Sequence, residues 1–251
     1  MEINKIEVEK RFRRSKTSYD DNARVQKRVI DRMIHIILSS IKQTPESILE
    51  IGCGTGLLTS QLHQTFSNAE LYLNDLVEDL CYHAATRNQI PSTHCFPGDI
   101  EKLTLPLTFN LIASTSTFQW FTNPKETFKK LSERLEKDGL LVFSTFGKCN
   151  LKEVRQTTGA GLDYWSKEEL EKLLKLYFSI ELVEEEYQML EFNNPLEVLQ
   201  HLKKTGVNVS GNPMIWTKGR VNAFINEYNT HFAVDGKVAL TYHPLYFVCR
   251  K

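Results

Sequence analysis

The chain lacks any long apolar run, any close pair of cysteines and any excess of one charge, and each absence removes a class of protein. No stretch of the 251 residues approaches the roughly 18 apolar residues that a membrane span needs. The first residues, Met1 to Lys5, are polar and lead to charge, which is not the pattern of a secretory signal. The five cysteines (53, 81, 95, 149 and 249) are odd in number, and no two have the C-x-x-C spacing of zinc or redox sites. They read as reduced thiols of a cytoplasmic protein, and no metal is expected. Thirty-one basic residues balance 31 acidic ones, so no overall field favours nucleic acid or a membrane surface. Internal repeats and low-complexity linkers are missing too. One domain over 1–251, acting as a monomer, is the expectation.

What is present is an ordinary globular composition, 41% hydrophobic and 25% charged. Short apolar strands alternate with helices: strands at 48–51, 70–75, 94–100, 109–114 and 140–146, helices at 57–66, 77–85 and 124–135. That alternation predicts an α/β fold with a mostly parallel sheet. Ahead of it lie a polar helical segment, about 1–25, and an amphipathic helix over 23–41. Behind it, Lys137-Asp-Gly139 reads as a turn, 150–161 as a polar stretch, and Ser166-Lys-Glu-Glu169 as a capping box opening a helix to 176. One strand is predicted at 178–190 and a last one at 238–248. Helices between them, within about 192–236, form an insertion expected to cover the acceptor side, with a loop over 207–219.

The most informative stretch is Glu50-Ile-Gly-Cys-Gly-Thr-Gly56, where a strand meets a helix through Gly52, Gly54 and Gly56. Three glycines in five residues exceed what a tight connection needs, and bare backbone at a helix N-terminus is a place for a ligand. A dinucleotide would call for Gly-x-Gly-x-x-Gly. Here the spacing is Gly-x-Gly-x-Gly, and the Glu50 carboxylate would repel a pyrophosphate but suit a cationic amine. Asp75 ends the next strand, 19 residues beyond Gly56, where a carboxylate can accept ribose hydroxyls or simply cap a helix. Asp99 follows the third strand as a further acid on the same sheet edge, against the plain alternative of a turn.

The stretch from Glu50 to Gly56 resembles the first motif of the class I S-adenosylmethionine-dependent methyltransferases. The resemblance implies a Rossmann-like fold: a seven-stranded, mostly parallel sheet with an antiparallel last strand, helices on both faces and a helical lid insertion. It implies S-adenosyl-L-methionine as cofactor and S-adenosyl-L-homocysteine as product. Glu50, Gly52, Cys53, Gly54 and Gly56 would face the amino-acid part of the cofactor, with Ser114 at the end of the fourth strand nearby. Asp75 would take the ribose, Leu76 would lie against the adenine, and Asp99 and Ile100 would bind its edge.

Further stretches, in order along the chain, resemble the malonyl-acyl-carrier-protein O-methyltransferase family of biotin synthesis. They are Phe12-Arg-Arg-Ser15 with Tyr19-Asp20 and Gln26, Ser114 to Trp120, Leu140 to Phe146, Leu202 to Asn208, and Leu240-Thr-Tyr-His243. The chain departs from that family's pattern at Arg13, at Thr205-Gly-Val207 and between Ser114 and Thr117. The resemblance implies methylation of the free carboxylate of a malonyl thioester, on an acyl-carrier protein or on coenzyme A, giving the methyl ester that starts pimeloyl and biotin synthesis. A carboxylate is ionised near neutral pH and needs no general base. Positioning is what the site must supply. Arg155 is the candidate clamp for the carboxylate, Tyr19 would close over the cofactor, and Gln119 and Trp120 would line the acceptor wall. The basic cluster Arg11 to Lys16 would either meet an acidic carrier protein or form a solvated helix face.

Two other readings share much of this evidence. The acceptor could be another small-molecule carboxylate or hydroxyl, in which case His243 or His94 would be wanted as a base. Alternatively the fold could bind the cofactor without catalysis, against which three intact acids argue.

Overall fold

The computed structural model describes residues 3–206 and 216–251. The helix α1 (Lys5–Ser15) and the one-turn α2 (Tyr19–Asn22) precede the long helix α3 (Arg24–Ser40). The strand β1 (Ser47–Ile51), α4 (Leu57–Thr65), β2 (Glu70–Asp75), α5 (Glu78–Arg87) and β3 (Cys95–Pro97) follow. Next come β4 (Phe109–Thr115), α6 (Pro124–Glu133), β5 (Leu135–Phe146), α7 (Lys152–Thr158) and α8 (Lys167–Leu174). The chain closes with β6 (Ser179–Glu185), β7 (Gln188–Phe192), α9 (Pro195–Lys204), α10 (Lys218–Phe232), β8 (Ala233–Val234), β9 (Lys237–Tyr242) and β10 (Pro244–Arg250).

Seven strands form one sheet in the order β3-β2-β1-β4-β5-β10-β6. Pairing is parallel from β3 through β5, and β10 runs antiparallel to both β5 and β6. Alternate residues of the strands feed two apolar layers. Ile48, Leu71, Leu111 and Val142 join the layer containing α3 and α4. Leu49, Tyr72, Ile112 and Leu141 join the one with α6 and α8. A sheet buried on both faces explains the unbroken apolar character of its strands. The strand order reverses between β1 and β4, and parallel sheets open a crevice at the carboxyl ends of such a pair.

Four sequence expectations need correction. Lys137-Asp-Gly139 does not end a helix-to-strand turn but lies inside β5. Asp138 adopts φ 61° there, and the pairing jumps from Phe109↔Leu135 to Leu111↔Leu140, so the turn residues make a bulge. The polar stretch after β5 contains α7, held by the buried Glu153. Its Oε2 accepts from the Thr241 backbone N–H at 2.9 Å, and its Oε1 from the Thr241 hydroxyl. The strands expected at 178–190 and 238–248 are each broken in two. β6 pairs with β10 in the large sheet, while β7 pairs with β9 in a separate three-stranded antiparallel sheet. The two segments thus form one ribbon that bends at 186–187 and at His243. Glu184-Glu-Glu186 and Pro244 lie at the two bends, but apolar residues resume on both sides, so each segment reads as one strand. The insertion therefore carries a small sheet besides α9 and α10. Val207 and Asn208, and most of the expected loop over 207–219, lie outside the described residues.

Candidate cofactor and acceptor site

At the carboxyl edge of β1 the chain turns sharply, and Gly52 and Gly54 take φ 73° and 54°. The Gly52 and Cys53 N–H groups both donate to the Asn74 carbonyl, at 2.8 and 3.0 Å. Asn74 in turn donates its side-chain amide to the carbonyls of Phe96 and Gly98, at 2.6 and 3.0 Å. One buried side chain thus ties the glycine turn to β2 and to the loop after β3. Asn74 belongs to no motif, and its only mark in the sequence is its place beside Asp75 at a strand end. A Cβ at Gly52 would run into Thr117, whereas one at Gly54 would meet nothing within 4 Å. The bare face of Gly54 opens into a cavity.

That cavity encloses about 1010 Å³, its open mouth included. Its walls bring together most of the predicted residues: Tyr19, Glu50, Gly52, Cys53, Gly54, Asp75, Leu76, Asp99, Ile100 and Trp120. Gly56 sits just outside as the left-handed N-cap of α4, at φ 86°. Ser114 and Gln119 are not in the lining. Ser114 is buried beneath the site and donates to the Ile51 carbonyl at 2.7 Å. Gln119 bridges the Ser116 carbonyl and Thr145. Arg155 is not brought to the cavity either. Its Nη1 donates to the Lys148 carbonyl at 2.7 Å, and its guanidinium lies 5.6 Å from the centre of the Tyr164 ring. His243 is held in the ribbon bend, where Nδ1 accepts from the Cys149 N–H and the ring stacks on Tyr187.

The acids are arranged for a cationic ligand. Glu50 is 1% exposed and accepts from the Thr59 hydroxyl at 2.6 Å. Burial raises its pKa to about 8, Thr59 opposes the rise, and the nearby Asp75 adds to it. Asp75 accepts the Gly54 N–H at Oδ2 and the Val77 N–H at Oδ1, both at 2.8 Å. It therefore both shapes the glycine turn and opens the run into α5. Its pKa is pushed up to about 6 by burial, against those two N–H groups. Asp99 accepts from the Glu101 N–H at 3.1 Å and from Lys5 Nζ at 2.5 Å. Asp99 is thus paired with Lys5, and Glu50 and Asp75 are the acids left to meet a cationic group in the cavity. The open glycine face, the acid at the end of β2 and the acid after β3 together fit an amino-acid-bearing, cationic nucleoside.

The N-terminal segment covers this cavity. Lys5, Val8, Phe12 and Ser15 line it at helical spacing, so one face of α1 looks inward. Phe12 meets Trp120 edge to face at 5.8 Å. Asp20 accepts from the Thr55 hydroxyl at 2.6 Å and from Arg87 at 2.7 Å, which fastens α2 to the glycine turn. Tyr19 lines the wall here, and burial with Asp20 and Asp75 nearby holds its phenol protonated. None of the insertion lines the cavity among the described residues. Instead α9 backs the cover from outside. The Lys204 carbonyl accepts from the Ser18 hydroxyl at 3.0 Å, and a Cβ at Gly206, itself at φ 70°, would crowd Ser15 and Phe12. Ser116, Thr117, Trp120 and Phe121, which follow β4, also line the cavity. The Trp120 Nε1–H and the Ser116 hydroxyl are buried without partners among the described residues.

This fold and cavity are those of a methyltransferase: a family profile described as a methyltransferase domain matches residues 22–182. Among solved structures, the YcgJ protein of Bacillus subtilis superposes with a TM-score of 0.62 at 12% identity, over 87% of this chain and 97% of its own. The N-methyltransferase NodS of Bradyrhizobium japonicum, solved with S-adenosyl-L-homocysteine, superposes at 0.52 and 15% identity, over 89% of this chain and 86% of its own. Nearer in sequence is the malonyl-[acyl-carrier protein] O-methyltransferase of Bacteroides thetaiotaomicron, 37% identical over 99% of both chains. The protein of that description from Acinetobacter baylyi is 35% identical over 99% of this chain and 98% of its own. The chain belongs to the malonyl-[acyl-carrier protein] O-methyltransferase family.

Proposed function

We propose that the protein transfers a methyl group from S-adenosylmethionine to the free carboxylate of a malonyl thioester carried by an acyl-carrier protein. Convergence of Glu50, Asp75 and Asp99 on one cavity carries the cofactor part of this reading. The near-full-length relatives carry the acceptor part. Bound here, the cofactor supplies an electrophilic methyl on a sulfonium. Glu50 and the turn from Gly52 to Gly54 hold the amino-acid end, Asp75 the ribose, and Asp99, Ile100 and Leu76 the adenine. The acceptor carboxylate is its own nucleophile, so the chain has to orient it and keep water away rather than remove a proton. Trp120 and Ser116 stand at the cavity wall, and their buried donors, without partners among the described residues, would serve that orientation if a small shift turned them to the cavity. Tyr19, in the wall under the cover, would close over the cofactor. Arg155 would reach the carboxylate only by leaving Lys148 and Tyr164, and it belongs to the proposal on those terms. Methylation masks the charge of the malonyl group, which is what the early steps of biotin synthesis would require.

The test supplies malonyl-carrier protein and radiolabelled S-adenosylmethionine, with malonyl-coenzyme A in parallel. An alkali-labile methyl ester on the carrier is the expected product. Label that never reaches either malonyl thioester, yet reaches another metabolite, would overturn the acceptor. Arg155→Ala should lower transfer to malonyl-carrier with cofactor affinity little changed; unchanged transfer removes Arg155 from the site.

A further inference from the structure

Among the ties that hold the cover, Arg13 meets Asp79 at 2.9 Å on the outer face of α1, and a single ammonium group reaches the cavity acids from its inner face. Lys5 is the first residue of α1, and its side chain is 19% exposed. Its Nζ lies 2.5 Å from Asp99 Oδ1 and also pairs with Glu101. Those two carboxylate side chains are 13% and 7% exposed. They stand two residues apart, so each would repel the other without a shared cation.

Glu101 does more than pair with Lys5. It accepts from the Thr122 and Asn123 N–H groups at 2.9 and 2.7 Å and from the Thr127 hydroxyl at 3.1 Å. It thereby holds the start of α6, directly after Trp120 and Phe121 of the acceptor wall. Burial would raise the Glu101 pKa, but Lys5 and these donors together hold the carboxyl down to about 2. The same ammonium therefore touches the acid assigned to the adenine and, through Glu101, the strut of the acceptor wall. The other residues of α1 that line the cavity are Val8, Phe12 and Ser15, and Lys16 just past the helix lines it too, but only Lys5 meets Asp99 and Glu101.

We infer that Lys5 is a positioning residue for methyl transfer: its ammonium latches α1 shut across Asp99 and Glu101 and sets how long cofactor and product stay bound. The inference rests on the cofactor assignment proposed above. Opening the latch exposes two neighbouring carboxylates, so it is slow when the cation is present. Losing the cation makes opening easy and leaves the adenine acid uncompensated.

Calorimetric affinity and stopped-flow dissociation of S-adenosylhomocysteine test this on the full chain, alongside thermal melts. Lys5→Met, which keeps the side chain's apolar length, should weaken binding by about tenfold or more, mostly through faster dissociation. KM for S-adenosylmethionine should rise while kcat holds or increases, a split that general loss of folded protein would not produce. Lys5→Arg should restore most of the affinity. Glu101→Gln, which can still accept from Thr122 and Asn123, should weaken binding by less, and adding it to Lys5→Met should cost little more. Affinity and dissociation of Lys5→Met within twofold of the parent, in folded protein, would overturn the latch. Failure of the parent protein itself to bind cofactor would instead overturn the site assignment on which the latch depends.

Discussion

At the scale of single residues, the glycines and the acids act through different physics. Gly52 is needed by packing and Gly54 by the open face it presents. Gly52→Ala would strain a left-handed backbone by about 1–2 kcal/mol and also press on Thr117, so a clear fall in melting temperature is expected. Gly54→Ala carries only the backbone strain, yet its methyl enters the cavity. Cofactor affinity should fall at least as far as in Gly52→Ala while the melting temperature falls less; the opposite ranking would contradict the assignment. Glu50 gives a pH prediction whose sign is set by its raised pKa. Folding favours the protonated acid, so its contribution to stability is complete below the ordinary value of 4.5 and is lost as pH rises to about 8. Asp75 adds a loss of the same sign from 3.8 to about 6. Ligand-free protein should thus melt lower as pH increases through that range, less so in Glu50→Gln. A cationic amine reverses the preference, so cofactor binding near pH 7 should release part of a proton. Calorimetry in buffers of differing ionisation enthalpy measures that release.

At the scale of elements, buried polar ties do what apolar contact cannot. The helix α7 is joined to β9 by Glu153, which satisfies a buried N–H and hydroxyl of Thr241. Glu153→Ala would leave that N–H unpaired and should destabilise the fold by roughly 1–3 kcal/mol in urea denaturation, with cofactor affinity unaltered in the folded protein. The N-cap of α8 is a milder case. Ser166 and Glu169 exchange hydrogen bonds with each other's backbone, and Ser166→Ala should cost about 1 kcal/mol. The capping box was legible because it is a local pattern of four residues. Glu153 was not, because its partner lies 88 residues away.

At the scale of the whole molecule, the cofactor half and the cover are separate systems that meet at the cavity. The sheet and its two apolar layers bury the strands whether or not a ligand is present. The segment from α1 to α2 is held by a few polar contacts and by Phe12 on Trp120. Amide exchange over residues 5–22 should therefore slow markedly when cofactor is added, while β1, β4 and β5 change little. Equal slowing throughout would mean that the segment is part of the rigid core. α9 stands behind this cover, which gives Leu202, Thr205 and Gly206 a reason to resemble a family element although none of them touches the cavity.

The parallel sheet, the glycine turn and the three acids at its edge are legible in the chain because each rests on short-range pattern: apolar periodicity, residue spacing and the place where a strand stops. The chain also contains the resemblance from which the acceptor is argued. Folding in three dimensions settles where the ribbon bends into a second sheet, that Asn74 ties three segments of the edge together, and that Arg155, Gln119 and Ser114 lie away from the cavity wall. It alone places Lys5 on Asp99, 94 residues apart. Those facts depend on contacts between distant parts of the chain, and a lysine or asparagine carries no local mark of the partner that folding will bring to it.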